Sequence, residues 1–375
     1  MRNPDIIILG GGIIGCALAE ELARHGRRVI ILERTSAGAE ASSAAAGILS
    51  SQLDVDQPGP FFDLCQAARK MYPRWIEHVE RRTGISVGYH VDGVLYLAMS
   101  GQEDHRMDRR RRWQTKAGLR VERWSRSDVR RREPAVDGRI KRGYFFPTEP
   151  QIDNVRLMEA LAAACRKAGV ELQEGVTVRR LLTKDRRVRG VELAEGQLLD
   201  APTVVICLGS WAALDGMLPG SSVIEPARGQ LLEFDAPKRL FRHVVMADCA
   251  YAVQRRDGRL LVGSTVEFVG FNKRVTLEGM TGILTGLHRI TTADTLRQCT
   301  FRTAWAGLRP CSRDRLPILG QTRVEGLIMA TGHFRHGILL APITAKLLAE
   351  QIVRGQNPTE LAAFNLERFE QHHAP

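Results

Sequence analysis

The stretch "DIIILGGGIIGCALAEELARHGRRVIILE", residues 5–33, constrains the fold of this chain more than any other. Residues 5–9 are a short β-branched run, which predicts a buried strand. Gly10, Gly12 and Gly15 follow with the spacing GxGxxG. "CALAEELARHG" has a helical period and is stopped by Gly26. "RVIILE" reads as a second strand ending in Glu33. The parts make a βαβ unit of about 30 residues, with an acidic residue about 20 positions beyond the glycines.

Each part has a physical task. Gly10 allows a tight turn, Gly12 lets the backbone approach a pyrophosphate, and Gly15 lets the helix pack close to the strand. The helix N-terminus offers unpaired N–H groups and the positive end of a dipole to phosphates. Glu33 is placed to accept from a ribose hydroxyl, and its charge disfavours a 2′-phosphate. The unit therefore predicts a dinucleotide site. An NAD enzyme would usually continue its alternation of strands and helices from here. Instead "AGAEASSAAAGILSSQ", residues 37–52, is small, polar and loop-like. This favours a second cofactor-contacting loop, and hence FAD, over a flexible Ala/Ser linker.

Length and composition narrow the class. The chain has 375 residues, 44% hydrophobic and 26% charged, which suits two domains or one large one. No apolar run is long enough to span a bilayer. The N-terminus passes straight into the strand pattern, so no secretory signal is expected. Seven scattered cysteines without a CxxC suit reduced thiols, and a cytoplasmic location is expected. The net charge of +12 raises nucleic acid as a partner. The densest run, "HRMDRRRRW" at 105–113, is interrupted by Asp108 and reads as an exposed helix face, with no recognition motif beside it. No DNA or RNA partner is expected.

Further along, "FFDLCQAARKMYPRWIEHVERRTG" predicts a helix interrupted near Pro73. "VGYHVDGVLYLAMS" predicts strands joined by a turn, and "SDVRRREP" a short capped helix. "DNVRLMEALAAACRKAGVEL" predicts an amphipathic helix and a strand, and "TVRRLLTKDRRVRGVEL" a strand, turn and strand. Residues 204–208 form a buried strand ending at Gly209. From Gly229 the pattern becomes antiparallel, with "RRDGR" as a hairpin turn, and residues 277–290 resemble a helix. "EGLIMATGH" is a strand that leads into "GHFRHGILLAP" and the final helix. Pro342 lacks an N–H, which predicts the first turn of that helix and a start near Gly337 to Ala341. There is no internal repeat. His333 and His336 lack a third ligand at suitable spacing, so no metal is expected.

Taken together, "IILGGGIIGCALAEELARHG", "SSAAAGIL", "RGQLLEF", "WAGLRPCSRDRLPILG" and "TGHFRHGILLAPITAKLLAEQI" make the chain resemble the D-amino acid oxidase superfamily of FAD-dependent amine oxidoreductases. Within it the resemblance is to the glycine oxidases of thiamine biosynthesis. The match spans nearly the whole chain. It implies an α/β fold (α+β overall), in which a Rossmann-like FAD-binding domain is interleaved with a substrate domain on an antiparallel sheet. The expected division is 1–88, 147–222 and 300–375 for the FAD-binding domain, and 89–146 and 223–299 for the substrate domain.

The resemblance also implies roles. FAD is held non-covalently, with Gly10, Gly12, Ile13, Ile14 and Gly15 at the pyrophosphate turn and Glu33 and Arg34 at the adenosine ribose. Ala41 and Ser42, then Ala46, Gly47 and Ile48, lie along the pyrophosphate and flavin, and Val178 meets the adenine. Gly209 belongs to the same set, as does the loop His333, Phe334, Arg335, His336, Gly337, Ile338 and Leu339 beside the flavin ring. Arg309 grips the substrate carboxylate, Tyr251 hydrogen-bonds the same group, and Arg335 adds positive charge near the substrate mouth. A planar guanidinium suits a carboxylate because it makes two parallel hydrogen bonds. The other reading of Arg309 is a structural pair with an acid such as Asp314.

The implied reaction is oxidation of a small amino acid, glycine first, by hydride transfer to the flavin. An imine forms and gives keto acid and ammonia, and dioxygen yields hydrogen peroxide. No general base stands out, so orientation carries much of the catalysis. A quinone-linked D-amino acid or sarcosine dehydrogenase is the alternative within the superfamily. A nucleic-acid-binding or catalytically silent flavoprotein is the alternative outside it. A homotetramer is the family's frequent state.

Overall fold

The computed structural model describes residues 3–213 and 223–369. The expected segment 147–222 therefore ends outside the described residues. The N-terminal βαβ unit forms as its sequence dictates: strand Ile6–Leu9, helix Ile13–Arg24 and strand Val29–Glu33, the two strands parallel. They sit inside a six-stranded sheet ordered Ile318–Gln321, Leu327–Thr331, Thr203–Ile206, Ile6–Leu9, Val29–Glu33, Glu171–Glu174. All neighbours run parallel except the edge hairpin Ile318–Gln321 with Leu327–Thr331.

The unbroken apolar strands follow from burial on both faces. On one face Ile6, Ile8 and Ile31 pack against helices Ile13–Arg24, Pro60–Thr83, Asn154–Lys167 and Gly337–Arg354. On the other, Ile7, Leu9, Ile30 and Leu32 meet Val188 and Val191 of a three-stranded antiparallel sheet. That small sheet is the predicted strand–turn–strand plus the strand Leu198–Asp200.

The second large sheet has eight strands in the order Thr300–Ser312, Ile224–Asp235, Arg259–Gly263, Ala250–Gln254, Val244–Ala247, Val94–Ala98, Arg142–Phe146, Glu122–Trp124. Its neighbours are antiparallel except Val244–Ala247 with Val94–Ala98. The strand Thr300–Ser312 pairs along its length with Ile224–Asp235, so it belongs to this sheet although it lies beyond position 299. Helix Leu277–Ile290 matches its expectation residue for residue.

Four local expectations are corrected. Helix Pro60–Thr83 runs through Pro73 without interruption. Pro73 is exposed, so water can solvate the carbonyl its missing N–H leaves free, while Tyr72, Ile76 and Val79 hold the buried face. Pro342 is not in the first turn of the final helix but is its sixth residue. The carbonyl of Ile338, which would have served residue 342, accepts a hydrogen bond from the buried Tyr72 hydroxyl instead. Residues 87–91 form no strand; only an isolated bridge joins His90 to Gln151. The arginine-rich helix Gly101–Lys116, started by a Ser100/Glu103 capping box, is not solvated all round. Met107, Arg110 and Gln114 share a helical stripe and are buried.

Candidate active site

The five parallel strands of the six-stranded sheet send their C-terminal ends toward one cleft. Strand order reverses at Ile6–Leu9, between Val29–Glu33 and Thr203–Ile206, and open α/β sheets bind ligands at such a switch point. The cleft is a cavity of about 1150 Å³. That exceeds the roughly 300–1,000 Å³ of most small-molecule sites. The near face of the eight-stranded sheet closes its other side.

The first end is shaped by backbone. Gly10 has φ +102°, and a Cβ there would lie 2.6 Å from the Cys207 carbonyl oxygen. Gly12 caps helix Ile13–Arg24, so the free N–H groups of that helix face the cavity. Ser42 already accepts from Ile13 N–H at 3.0 Å. Glu33 accepts from the Gly11 and Thr35 N–H groups at 2.8 and 2.9 Å, which fixes its carboxylate at the strand end. The Thr35 hydroxyl also donates to Oε1 at 3.1 Å, so Oε2 is the oxygen that keeps a lone pair for a ribose hydroxyl. The Arg34 guanidinium lies over Trp211, 3.9 Å from the ring centroid. Val178 and Gly209 line the same end.

The Ala/Ser stretch is a built loop, not a linker. Asn154 donates to the carbonyls of Ser42 and Ser43 at 2.8 and 2.9 Å, and the Trp305 indole donates to Ala44 at 3.1 Å. Arg255, its pKa lowered by burial to about 10, donates to the Ala46 carbonyl at 2.8 Å. Gly47 has φ +70° and a Cβ there would collide with the Ile152 carbonyl. Ala41, Ser42, Ala46, Gly47 and Ile48 all line the cavity.

The far end joins the loop 332–336 to the eight-stranded sheet. Phe334, at φ 47°, donates its N–H to the Pro310 carbonyl at 2.8 Å. His333, Phe334, Arg335, His336, Gly337, Ile338 and Leu339 line the cavity, with the N-terminus of helix Gly337–Arg354 facing it. His333 is buried, bonds Thr344 at 3.2 Å, and burial holds its pKa down to about 3.

Arg309 and Tyr251 come together through two missing side chains. Arg309 crosses Gly229 on the neighbouring strand, where any Cβ would strike its guanidinium. It then donates to the Ser264 hydroxyl at 2.9 Å and the Thr265 carbonyl at 3.1 Å. Tyr251 lies across its cross-strand partner Gly263, whose Cβ would sit 2.6 Å from the tyrosine hydroxyl. Among the described residues Arg309 makes no carboxylate pair, and the suggested partner Asp314 binds Arg368 at 2.7 Å. Burial lowers the Arg309 pKa and raises that of Tyr251, leaving one charged and one neutral group at neutral pH. Arg335 is half-exposed at the mouth and reaches Asp54 at 3.6 Å.

The cavity thus gathers every residue expected of it except Gly15. Gly15 is buried beneath the turn, where a Cβ would strike the Gly10 carbonyl, so its task is packing. Sequence reasoning missed Asp54, Tyr96, Arg106 and Asp248, which also line the cavity. Arg106 donates to Asp248 at 2.6 and 2.7 Å and to the Tyr96 hydroxyl at 2.7 Å. Arg110 binds Asp56 and the Leu53 carbonyl, tying the helix to the loop over the cavity. Helical spacing from Met107 to Arg110 was the one available signal.

A glycine turn at one helix N-terminus, followed by a built loop and a second helix N-terminus on one long cavity, fits FAD. Comparison with known proteins agrees. Residues 5–351 match the DAO family model, FAD dependent oxidoreductase. The bifunctional protein ThiO/ThiG of Trichormus variabilis is 34% identical over 98% of this chain, which spans only 55% of that longer protein. Glycine oxidase of Geobacillus kaustophilus is 32% identical, with 97% of each chain covered. The crystal structure of that glycine oxidase superposes with a TM-score of 0.93 over 98% of this chain and 99% of its own, at 31% identity. With its fold, cradle and sequence in agreement, the chain belongs to the FAD-dependent oxidoreductase family that the DAO model describes, and its cofactor is FAD.

Proposed function

We propose that this protein oxidatively deaminates a small amino acid, with glycine first and sarcosine or small D-amino acids next. The observation that carries this is Arg309, an enclosed guanidinium with no carboxylate partner among the described residues, beside Tyr251 in the cavity. An enclosed cation with no carboxylate bonded to it is costly, and Asp54 acts on it only from a distance, so its missing partner is an anion that enters. A substrate carboxylate supplies that charge, and the Tyr251 hydroxyl is a second donor to it. Ser264 and the Thr265 carbonyl hold the guanidinium plane in place, so the α-carbon is oriented before reaction. When bound, the flavin accepts the hydride from the α-carbon, and dioxygen reoxidises it with release of peroxide. The full-length glycine oxidase relative supports glycine as the first substrate.

The likeness to ThiO/ThiG supports a role for the imine in thiazole formation for thiamine. We read the six-stranded sheet with its helices as the FAD-binding domain and the eight-stranded sheet as the substrate domain. On this reading the last segment begins after Ser312, not at 300.

The test is Arg309→Ala in the FAD-loaded protein. Removing one partner of an enclosed charge pair costs about 3–5 kcal/mol, so kcat/KM should fall roughly 10²–10⁴-fold with FAD retained. Unchanged kinetics would remove Arg309 from the site.

A further inference from the structure

One polar side chain of the cavity has no hydrogen-bond partner among the described residues. His336 is buried, its side chain 7% exposed, and neither Nδ1 nor Nε2 makes a hydrogen bond. The ring meets Phe61 edge-on with centroids 5.0 Å apart, and it lines the cavity. Buried polar atoms in folded proteins almost always find a partner, so something that enters the cavity completes this one.

Its neighbours indicate what enters. Asp54 Oδ2 lies 3.9 Å from Nε2, and Asp54 Oδ1 lies 3.6 Å from Arg335 Nη1. The charge of Asp54 acts on Arg309 as well as on His336, so Asp54 stands near both. The backbone fixes the same proximity: Phe334 bonds Pro310, next to Arg309, and His333 bridges Cys311. An α-amino acid held at Arg309 by its carboxylate carries its amine one carbon away. The charged and titratable groups around the ring are Asp54 from the loop above, and Arg335 and His333 from its own loop; helix Pro60–Thr83 presents Phe61.

We propose that His336, backed by Asp54, takes the proton that the substrate ammonium must lose before hydride leaves. The inference rests on the amine-oxidising reading above. An N–H bond of the ammonium breaks and an N–H bond forms on the imidazole, with no change of oxidation state. The positive charge moves from the substrate to a ring beside a carboxylate. It then passes to solvent at the mouth, where Asp54 is partly exposed. Burial and Arg335 hold the His336 pKa below its usual value, so the ring is neutral and able to accept at neutral pH. A carboxylate arriving at Arg309 adds negative charge nearby and raises its proton affinity. Asp54, 3.9 Å from Nε2, favours positive charge on the ring by its own charge and not by a hydrogen bond.

The test is anaerobic flavin reduction by glycine across the neutral and alkaline range, in the FAD-loaded wild type and in His336→Asn. His336→Gln serves as a second variant, and the flavin spectrum reports folding. In the variants the apparent second-order rate of reduction should rise more steeply with pH than in the wild type, because the neutral amine must then form without a neighbouring acceptor. At neutral pH the variants should be slower by about tenfold or more, the gap closing at the alkaline end. Parallel profiles in wild type and variants would overturn the proposal. Parallel profiles with a shifted flavin spectrum or potential would also overturn it, by placing the ring against the cofactor. Reduction of neither protein by any amine at any pH would instead remove the amine-oxidising reading, and this proposal with it.

Discussion

Gly10 and Arg106 line the same cavity, and they are held there by different physics. Around Gly10 the wall is backbone. The turn, the helix N-terminus and the loop 41–48 are fixed by main-chain approach and by donors from behind, such as Asn154 and Trp305. Around Arg106 the wall is charge. Arg106 with Asp248, Arg110 with Asp56, and Arg335 with Asp54 are ion pairs between separate segments. A backbone wall accepts few residues at each position. A wall of partly exposed ion pairs can be rebuilt with other charges at little cost. The glycine-turn end is therefore the rigid part of the cavity and the Arg106 wall the adjustable part.

Three substitutions probe that difference, in decreasing order of effect. Gly10→Ala should abolish FAD retention. Its Cβ would fall 2.6 Å from a backbone carbonyl, at φ +102°, where an L side chain is strained. Equilibrium dialysis against FAD measures this, and normal retention would contradict a rigid backbone wall. Gly263→Ala should leave FAD bound but push Tyr251 aside, lowering kcat/KM for glycine by about tenfold, the loss of roughly one hydrogen bond to a charged group. Steady-state kinetics with a flavin-content assay separates it from the first variant. Arg106→Met should change kcat/KM for glycine by less than about fivefold, since partly exposed pairs contribute little. Its effect should be larger on amines with longer side chains. A loss for glycine as large as that of Gly263→Ala would put Arg106 in direct contact with the small substrate.

The same difference explains what was legible in the sequence. Gly10 and Gly47 were readable because a close backbone approach at positive φ excludes every other residue type, and Gly12 from its place in the GxGxxG spacing. Arg309 was readable from "WAGLRP", where an arginine sits among apolar neighbours. Gly229 and Gly263 looked like strand glycines. Their task, to leave room for Arg309 and Tyr251, depends on cross-strand register that local pattern does not give. Asp54, Arg106 and Asp248 lie on a loop, a helix and a turn, and each has the look of a surface charge until the fold brings them together. Pro342 was misplaced for a similar reason. The group that satisfies the freed Ile338 carbonyl, Tyr72, lies 266 positions away.

The central claim is that an amine carboxylate completes the charge at Arg309 and is oxidised there. Its most direct measurement is anaerobic addition of glycine, sarcosine and D-alanine to the FAD-loaded protein, watching the yellow flavin absorbance. Bleaching by at least glycine, with peroxide formed on admission of air, is the predicted result. Flavin that stays oxidised with all three would contradict it.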